Sequence, residues 1–200
     1  MGTKFSTRIW VGVVGIASIF WGSKGYADTV VSVADFGLKP DTRENAVAYV
    51  QKAIEACRGK EPVTLVFPEG RYDFWPQYAH EKNYYETNTY DVFPKRLAML
   101  FEGFHNITVD GNGSQFVMHD RIQPITVENC DGVTLKNFSI DWDIPLTAQA
   151  RVIKVGSDFF EIEINVLESP YIIEDGKLVF VGEGWKSALG SMIEFESDTH

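Results

Sequence analysis

The sequence feature that most constrains the fold is a pair of strand-like runs that align with each other at a fixed distance. The runs FHNITVDGNGSQFVM and CDGVTLKNFSIDW place Ile107 over Val133 and Val109 over Leu135, an offset of 26 residues. A third run of this kind, PITVENC, lies between them, and no helical pattern separates the three. Short strands that recur at nearly constant spacing and are joined only by turns are typical of the coils of a parallel β-helix.

Polar residues stand where these coils are expected to turn. Asn112 and Asn137 occupy predicted turn positions, where asparagine tolerates left-handed backbone and can stack in ladders. Asp110, in VDGNG, is predicted to be a turn former. In VMHDR, His119 and Asp120 are neighbours and face opposite sides of a strand, which favours a turn-capping histidine over a proton-handling pair. Arg121 is expected to be solvated at a coil corner.

One amphipathic helix is predicted before the repeats. Its apolar face has residues at spacings of three and four, namely Val47, Val50, Ala53, Ile54 and Cys57. Asp41 and Glu44 have the spacing of a capping box. The pattern predicts a helix from about Thr42 to Arg58, stopped by Gly59, with a short strand before it. The stretch VTLVFPEGRYDF after it predicts two short strands joined by a Pro-Glu-Gly turn.

Eight aromatic residues without a clean period follow, which predicts a long loop. They are Tyr72, Phe74, Trp75, Tyr78, Tyr84, Tyr85, Tyr90 and Phe93. Aromatic rings in a loop can stack on the apolar faces of sugars, and on this interpretation Trp75 and Tyr85 are candidate substrate contacts. The alternative, equally open, is that the rings cover the end of a hydrophobic core.

The pattern changes near Thr147. ARVIKVGSDFFEIEI consists of two alternating strands around Gly156, Ser157 and Asp158, which predicts a hairpin, and GKLVFVGEGW supplies another strand. The sequence therefore predicts an all-β chain of two modules. Residues 28–146 are the N-terminal cap and first coils of the parallel β-helix. Residues 147–200 begin an antiparallel, barrel-like module that need not be complete at residue 200.

The first residues have the pattern of a secretory signal. Lys4 and Arg8 precede an apolar run, which is followed by small residues that end at Ala27. The apolar run is shorter than the roughly 20 residues that a membrane-spanning helix needs. We therefore expect residues 1–27 to be cleaved after about Ala27. The mature protein should then be secreted or periplasmic, without stable membrane insertion.

Charge and cysteine content limit the partners. The formal net charge of −10 repels phosphate backbones, which excludes nucleic acid as a partner. Cys57 continues the apolar helix face and Cys130 lies in the turn-like ENCDG, so two separate thiols are predicted rather than a disulfide. Neither cysteine has a Cys or His neighbour at zinc-ligand spacing, so no metal and no cofactor are predicted.

The candidate site is the stretch NFSIDWDIP. Counted from Val133, alternation directs five apolar side chains inward, namely Val133, Leu135, Phe138, Ile140 and Trp142. Asp141 and Asp143 are left outside, roughly 6.6 Å apart along the strand. Inverting glycosidases separate their two carboxyl groups by about 6.5–9.5 Å. Asp141 and Asp143 are therefore the catalytic candidates and Trp142 a candidate sugar contact. Side chains on one strand point in parallel, which favours a solvated edge or hydrogen bonds from the DIP turn, and leaves sugar binding as the functional alternative.

Two longer stretches resemble a known lineage. VADFGLKPDTRENAVAYVQKAIEAC followed by VTLVFPEGRYDF is similar to the cap and first coil of the pectate-lyase-like right-handed β-helix superfamily. The run from PKRLAMLFEGFHN to TAQARVIKV resembles glycoside hydrolase family 110, bacterial exo-acting α-1,3-galactosidases. The resemblance covers about Val30 to Val155. It implies a right-handed parallel β-helix bearing β-barrel modules, and inverting, cofactor-free removal of terminal α-1,3-linked galactose from blood group B type glycans.

That family also implies that this chain is an N-terminal portion. Its members are several hundred residues long, and their catalytic carboxylates lie on later coils. Two other functions stay open from the residues alone. One is a polysaccharide lyase on the same scaffold with calcium at acidic ligands, although Lys136 is isolated as a base. The other is a non-catalytic, carbohydrate-binding β-helix fragment.

Overall fold

The computed structural model describes residues 29–84, 94–190 and 192–196, and these form an all-β chain with one α-helix. The elements in chain order are β1 (Thr29–Ser32), α1 (Val47–Cys57), β2 (Val63–Val66), β3 (Arg71–Phe74), β4 (His80–Lys82), β5 (Lys95–Glu102), β6 (His105–Met118), β7 (Gln123–Glu128), β8 (Asp131–Trp142), β9 (Arg151–Val155), β10 (Phe160–Glu163), β11 (Tyr171–Glu174), β12 (Lys177–Gly182) and β13 (Trp185–Ala188). The predicted signal, residues 1–27, lies outside the described residues. Within those residues, α1 is too short to cross a membrane.

The strands of the repeats, β5 to β8, pair in parallel in the register that the sequence offset predicts, whereas β4 pairs antiparallel with β5. Ile107 lies beside Val133 in the β6–β8 pair, and β6 also pairs in parallel with β2 and β3. The intervening strand β7 pairs in parallel with β5 instead, with Met99 beside Ile125, again 26 residues apart. Each repeat therefore contributes one strand to each of two sheets.

Two predicted turn residues have the expected backbone but lie inside strands. Asn112 and Asn137 have left-handed backbone, with φ of 50° and 59°, within β6 and β8, where the register between these strands shifts. The carboxylate of Asp110 accepts a hydrogen bond from Asn137 Nδ2 at 2.9 Å and from the backbone N–H of Asn112 at 3.0 Å. These two hydrogen bonds, the Asn137 bond foremost, lower the pKa of Asp110. Asp110 is thus a turn former, and Lys136, predicted to be isolated, lies 3.3 Å from its carboxylate.

The helix begins later than predicted. It starts at Val47 rather than Thr42, because Asp41 adopts left-handed backbone with φ of 61° and its carboxylate accepts the N–H of Arg71 at 2.9 Å. The predicted capping box does not form. The side-chain oxygen of Asn45 accepts the N–H of Val47 at 3.1 Å instead. A tertiary contact therefore decides where the helix starts.

The apolar face of α1 and the inward side chains of the parallel strands form one core. Phe116 lies at the centre of an aromatic cluster, with its ring centroid 4.7 Å from that of Phe67 and 4.8 Å from that of Phe138. Tyr72 and Phe74 of β3 belong to the same cluster and are buried. The predicted loop is therefore wrong for these two residues, whose rings fill the core.

The two cysteines are separate free thiols, as predicted. Cys57 is fully buried on the core face of α1 and Cys130 is partly buried near β7. Burial raises the pKa of the Cys57 thiol to about 11. Cys57 therefore acts as a small core residue rather than as a nucleophile.

The prediction that five side chains of β8 point into the core is correct for three of them. Val133, Phe138 and Trp142 pack against the core as partly buried residues. Leu135 and Ile140 are 41% and 38% exposed, contrary to the prediction. The reason is that β8 pairs with β6 on one side only, so within the described residues no strand covers its far side.

The strands after Arg151 are antiparallel, as predicted. β9 and β10 form the hairpin expected around Ser157, and β11, β12 and β13 form a three-stranded meander. The meander turn at Asp175 and Gly176 has left-handed backbone at both residues, the geometry of tight two-residue hairpins.

Replacing Gly111 with alanine should destabilise the stacked strands. A Cβ at Gly111 would lie 2.5 Å from Phe138 Cβ and 2.7 Å from the carbonyl oxygen of Asn137, so β8 would have to shift away from β6. We expect urea denaturation to show a loss of about 1–3 kcal/mol in the free energy of unfolding. Gly190→Ala is the matched control, since the nearest atom would lie 3.9 Å away. Equal losses in the two variants would contradict the close approach.

Candidate functional site

A set of polar side chains meets on the outer side of the parallel sheet, where β3, β6 and β8 end. We call it the His119 cluster, and its members are Arg71, Asp73, Trp75, His119, Asp143 and Glu183. Five of these residues belong to the parallel strands or their ends. Glu183 comes from the turn between β12 and β13, in the antiparallel part of the chain.

The strand register explains why these side chains meet. Asp73 lies beside Val117, and Val117 lies beside Asp141. The same ladder continues past the strand ends, because the N–H of His119 donates to the carbonyl of Phe74 at 2.9 Å. Side chains alternate along a strand, so His119 points to the same outer face as Asp73.

His119 is a buried histidine held between two carboxylates. Its side chain is 2% exposed, with Nε2 at 2.9 Å from Asp73 Oδ1 and Nδ1 at 2.7 Å from Glu183 Oε2. An ionised carboxylate only accepts hydrogen bonds, so a ring nitrogen that carries a proton can donate to the carboxylate beside it. The indole of Trp75 stacks on the imidazole ring at 3.8 Å between ring centroids.

Arg71 joins this chain of charges to Asp143. Its Nη2 atom lies 2.6 Å from Asp73 Oδ1 and 2.8 Å from Asp143 Oδ1. Burial raises the pKa of Asp73, but hydrogen bonds from Arg71 and His119 lower it by more, so this pKa lies below its ordinary value. The hydrogen bond to Asp73 in turn raises the pKa of Arg71. Asp73 is therefore a buried carboxylate whose ionised form is stabilised by hydrogen bonds from Arg71 and His119.

The two catalytic candidates lie in different surroundings. Asp143 accepts from Arg71 and lies 4.0 Å from Arg43, with its side chain 34% exposed. Asp141 is exposed and accepts the N–H of Trp142 at 2.8 Å. The structure therefore brings Asp143 into the His119 cluster and leaves Asp141 on the neighbouring surface.

The three predicted sugar contacts also separate. Trp75 belongs to the cluster, with one ring face covered by His119. Trp142 packs against the core and donates from Nε1 to the carbonyl of Asp120 at 3.2 Å. Tyr85 lies outside the described residues. Of the two candidates that the structure describes, Trp75 is thus the one that belongs to the His119 cluster.

His119 is the residue that sequence reasoning undervalued. The prediction of a turn-capping histidine is wrong, because the ring binds Asp73, 46 residues earlier, and Glu183, 64 residues later. Asp120 does turn the chain, with φ of 56°, and Arg121 is exposed as expected. The sequence GEGW, in which two glycines flank the carboxylate of Glu183, is the signal that could have indicated a partner for His119.

Two other concave regions differ from the cluster. A cavity of about 260 Å³ lies between α1 and β4, and its charged lining is paired internally, as in the 2.9 Å contact of Lys82 with Glu102. A narrow gap between Pro145 and Trp185 has no room for a water molecule. In the part of the chain that the structure describes, no three His, Cys, Asp or Glu side chains are grouped to hold a metal ion.

Asp73 should make folding stability depend on acid pH. Its pKa is lowered on folding from about 3.9, so its contribution is fully present above pH 4 and is lost as pH falls through the folded-state pKa. Asp73→Asn cannot titrate and should lose less stability between pH 5 and pH 2, by at most about 1.4 kcal/mol per pH unit. Urea denaturation at several pH values measures this, and parallel curves for variant and wild type would contradict it.

Comparison with known proteins shows which family this chain belongs to. Residues 148–200 match the family model described as GLAA-B beta-barrel domain I. The chain is 59% identical over 174 residues to Alpha-1,3-galactosidase B of Bacteroides thetaiotaomicron, which covers 87% of this chain and 28% of that protein. It is 37% identical over 169 residues to Alpha-1,3-galactosidase A of Shewanella woodyi, covering 84% of this chain and 28% of that protein.

A third relative extends over nearly the whole chain. Alpha-1,3-galactosidase B of Phocaeicola vulgatus is 36% identical over 195 residues, covering 96% of this chain and 31% of that protein. The chain thus spans less than a third of the length of these curated relatives. The resemblance found in the sequence is confirmed. The chain belongs to the α-1,3-galactosidase family and corresponds to a part of the length of these relatives.

Proposed function

We propose that this chain is part of a glycoside hydrolase that removes terminal α-1,3-linked galactose from glycans of the blood group B type, by inversion and without a cofactor. The observation that carries the proposal is the 59% identity over 87% of the chain to a protein named Alpha-1,3-galactosidase B. The activity is proposed for the whole protein, because the chain spans 28% of that relative. The partner is a glycan with terminal α-galactose.

The scaffold proposed for this activity is a right-handed parallel β-helix in residues 28–146 and a barrel-like module in residues 147–200. Two strand pairs, β5 with β7 and β6 with β8, support the coils through the same offset of 26 residues. The left-handed asparagines, Asn112 and Asn137, support them too. The family match over residues 148–200 supports the second module.

The His119 cluster is the proposed place of contact with the glycan. A carboxylate that accepts from a guanidinium is held in one orientation, which suits Asp143 for binding a sugar hydroxyl or for orienting a catalytic group. Asp141, exposed beside it, is the second candidate. Trp75 offers an aromatic surface in the same cluster, and Trp142 and Tyr85 complete the proposed substrate contacts.

Secretion is part of the proposal. Glycans of this type lie outside the cytoplasm, and a signal cleaved after about Ala27 would deliver the protein to the periplasm or medium. Mass spectrometry of the protein recovered from the native host's periplasm and medium should show a mature N-terminus near Asp28. A protein recovered with residues 1–27 intact would argue against export by this route.

The activity is tested with the full-length protein. Incubation with an α-1,3-linked galactoside should release galactose, and proton NMR should show the β-anomer first, as inversion requires. Asp141→Asn and Asp143→Asn should each lower kcat/KM by about tenfold to a hundredfold if they bind or orient the substrate. Asp158→Asn, in the exposed β9–β10 turn, is the control. The absence of released galactose with the wild-type protein would remove the proposed function.

A further inference from the structure

The turn Gly182–Trp185, between β12 and β13, has features that fit it to the parallel strands. Glu183 Oε2 lies 2.7 Å from His119 Nδ1. Gly184 has left-handed backbone with φ of 69°, and a Cβ there would overlap the carboxylate of Asp120. A Cβ at Gly182 would likewise overlap the indole of Trp185. Both glycines of GEGW therefore stand at close approaches that a side chain would prevent.

We propose that Gly182–Trp185 is a docking turn, an interaction surface that fixes the antiparallel part of the chain to the outer face of β3, β6 and β8. Glu183 is its anchor. His119 is almost fully buried, so its Nδ1 needs a hydrogen-bond partner within the protein, and a buried polar atom left without a partner is costly. Glu183 supplies that partner only when the turn is docked.

A second contact lies beside the anchor and is apolar. Trp185 lines the narrow gap together with Ile144 and Pro145, which belong to the connection that follows β8. The gap has no room for a water molecule, so the indole closes directly on the connection. The docking turn thus combines the contact of Glu183 with the buried His119 ring and the placement of Trp185 against the connection, and both fix the same orientation.

The neighbouring turn of the same meander shows what an undocked turn looks like. Gly176, between β11 and β12, has φ of 71°, close to that of Gly184, yet nothing lies within 4 Å of a Cβ placed there. At both positions, a residue other than glycine would therefore strain the backbone to a similar degree. They differ in that Gly184 also meets Asp120.

Docking has a consequence for the candidate site, and this step rests on the proposed function. Glu183 holds His119, His119 holds Asp73 and stacks on Trp75, and Asp73 shares Arg71 with Asp143. The chain of contacts runs without a break from the turn to the proposed sugar-binding side chains. Glu183 and His119 are therefore positioning residues for Trp75 and Asp143.

Hydrogen exchange of the full-length protein tests the docking turn directly. In Glu183→Ala and in Gly184→Ala, amides of residues 182–188 and of the connection 143–147 should exchange at least about tenfold faster than in wild type. Glu183→Gln, which keeps an acceptor oxygen, should restore most of the protection. Amides of β2, in the core, should be unchanged and show that each variant is folded.

The matched controls are Gly176→Ala, with equal backbone strain and no contact, and Glu163→Ala, an exposed carboxylate on β10. Exchange in the two docking variants no faster than in these controls would overturn the proposal.

Activity measurements separate the proposed function from the docking of the turn. If wild type releases no galactose, the proposed function fails while the exchange data still decide docking. If docking is right, Glu183→Ala should raise KM more than Glu163→Ala does.

Discussion

Replacement of His119 by alanine is expected to lower the free energy of unfolding by about 3–5 kcal/mol, because a buried ring is lost and the buried carboxylate of Asp73 loses one of its hydrogen-bond partners. The side chain is 2% exposed and satisfies two carboxylates at once. Its removal leaves Asp73, whose side chain is 0% exposed, with Arg71 as its remaining charged partner. It also removes the stacking surface of Trp75. The measurement is urea denaturation of the purified protein at pH 7.

His105→Ala is the control for this prediction. His105 is exposed at the start of β6, so its removal should change the unfolding free energy by less than about 0.5 kcal/mol. His119→Gln can donate one hydrogen bond and should fall between wild type and His119→Ala. A loss in His119→Ala no larger than that in His105→Ala would show that the buried histidine does not hold the cluster together.

Replacement of Phe116 by alanine is expected to cost about 3–5 kcal/mol as well, for a different physical reason. Phe116 is 0% exposed and its ring contacts four other rings, those of Phe67, Tyr72, Phe74 and Phe138. These rings come from two strands, β3 and β8, and from the turn before β3, so they cannot all close on the space left by a lost phenyl group. The loss should appear in urea denaturation with little change in the m-value.

Phe160→Ala is the control for the aromatic cluster. Phe160 is 45% exposed on β10, and its truncation should cost clearly less than that of Phe116. Phe116→Leu, which keeps most of the buried apolar volume, should recover part of the loss. If Phe116→Ala cost no more than Phe160→Ala, the cluster would not be the centre of the core that the geometry indicates.

In the proposed enzyme, the His119 cluster is the proposed place where this part of the protein contacts the glycan. It fixes one carboxylate, Asp143, and one aromatic surface, Trp75, on the outer face of stacked strands. Strands are rigid supports, and a site built on them keeps its geometry better than a site built on loops. This fits a surface that receives a sugar ring and orients groups supplied by the remainder of the protein.

Local sequence signals were sufficient where the structure repeats. The offset between Ile107 and Val133 predicted their register, because parallel coils of equal length must place equivalent residues side by side. The hairpin around Ser157 was predicted for a similar reason, since alternation on both sides of a turn specifies antiparallel strands. The apolar face of α1 also followed directly from its spacing.

Local signals failed where a distant residue competes for the same group. Asp41 has the spacing of a helix cap, but its carboxylate accepts the backbone N–H of Arg71 instead, and the helix starts at Val47. Leu135 and Ile140 have the pattern of core residues, but their exposure depends on what covers β8. In each case the outcome was decided by a neighbour that the local pattern does not contain.

The sequence by itself determined the spacing of the strands, the alternation of their faces and the turns that join them, because each depends on residues close together in the chain. The tertiary structure alone decided which outward side chains meet. Asp73, His119 and Glu183 lie 46 and 64 residues apart, and no periodicity links them. They come together because a buried charge must find its partner inside the protein, wherever along the chain that partner lies.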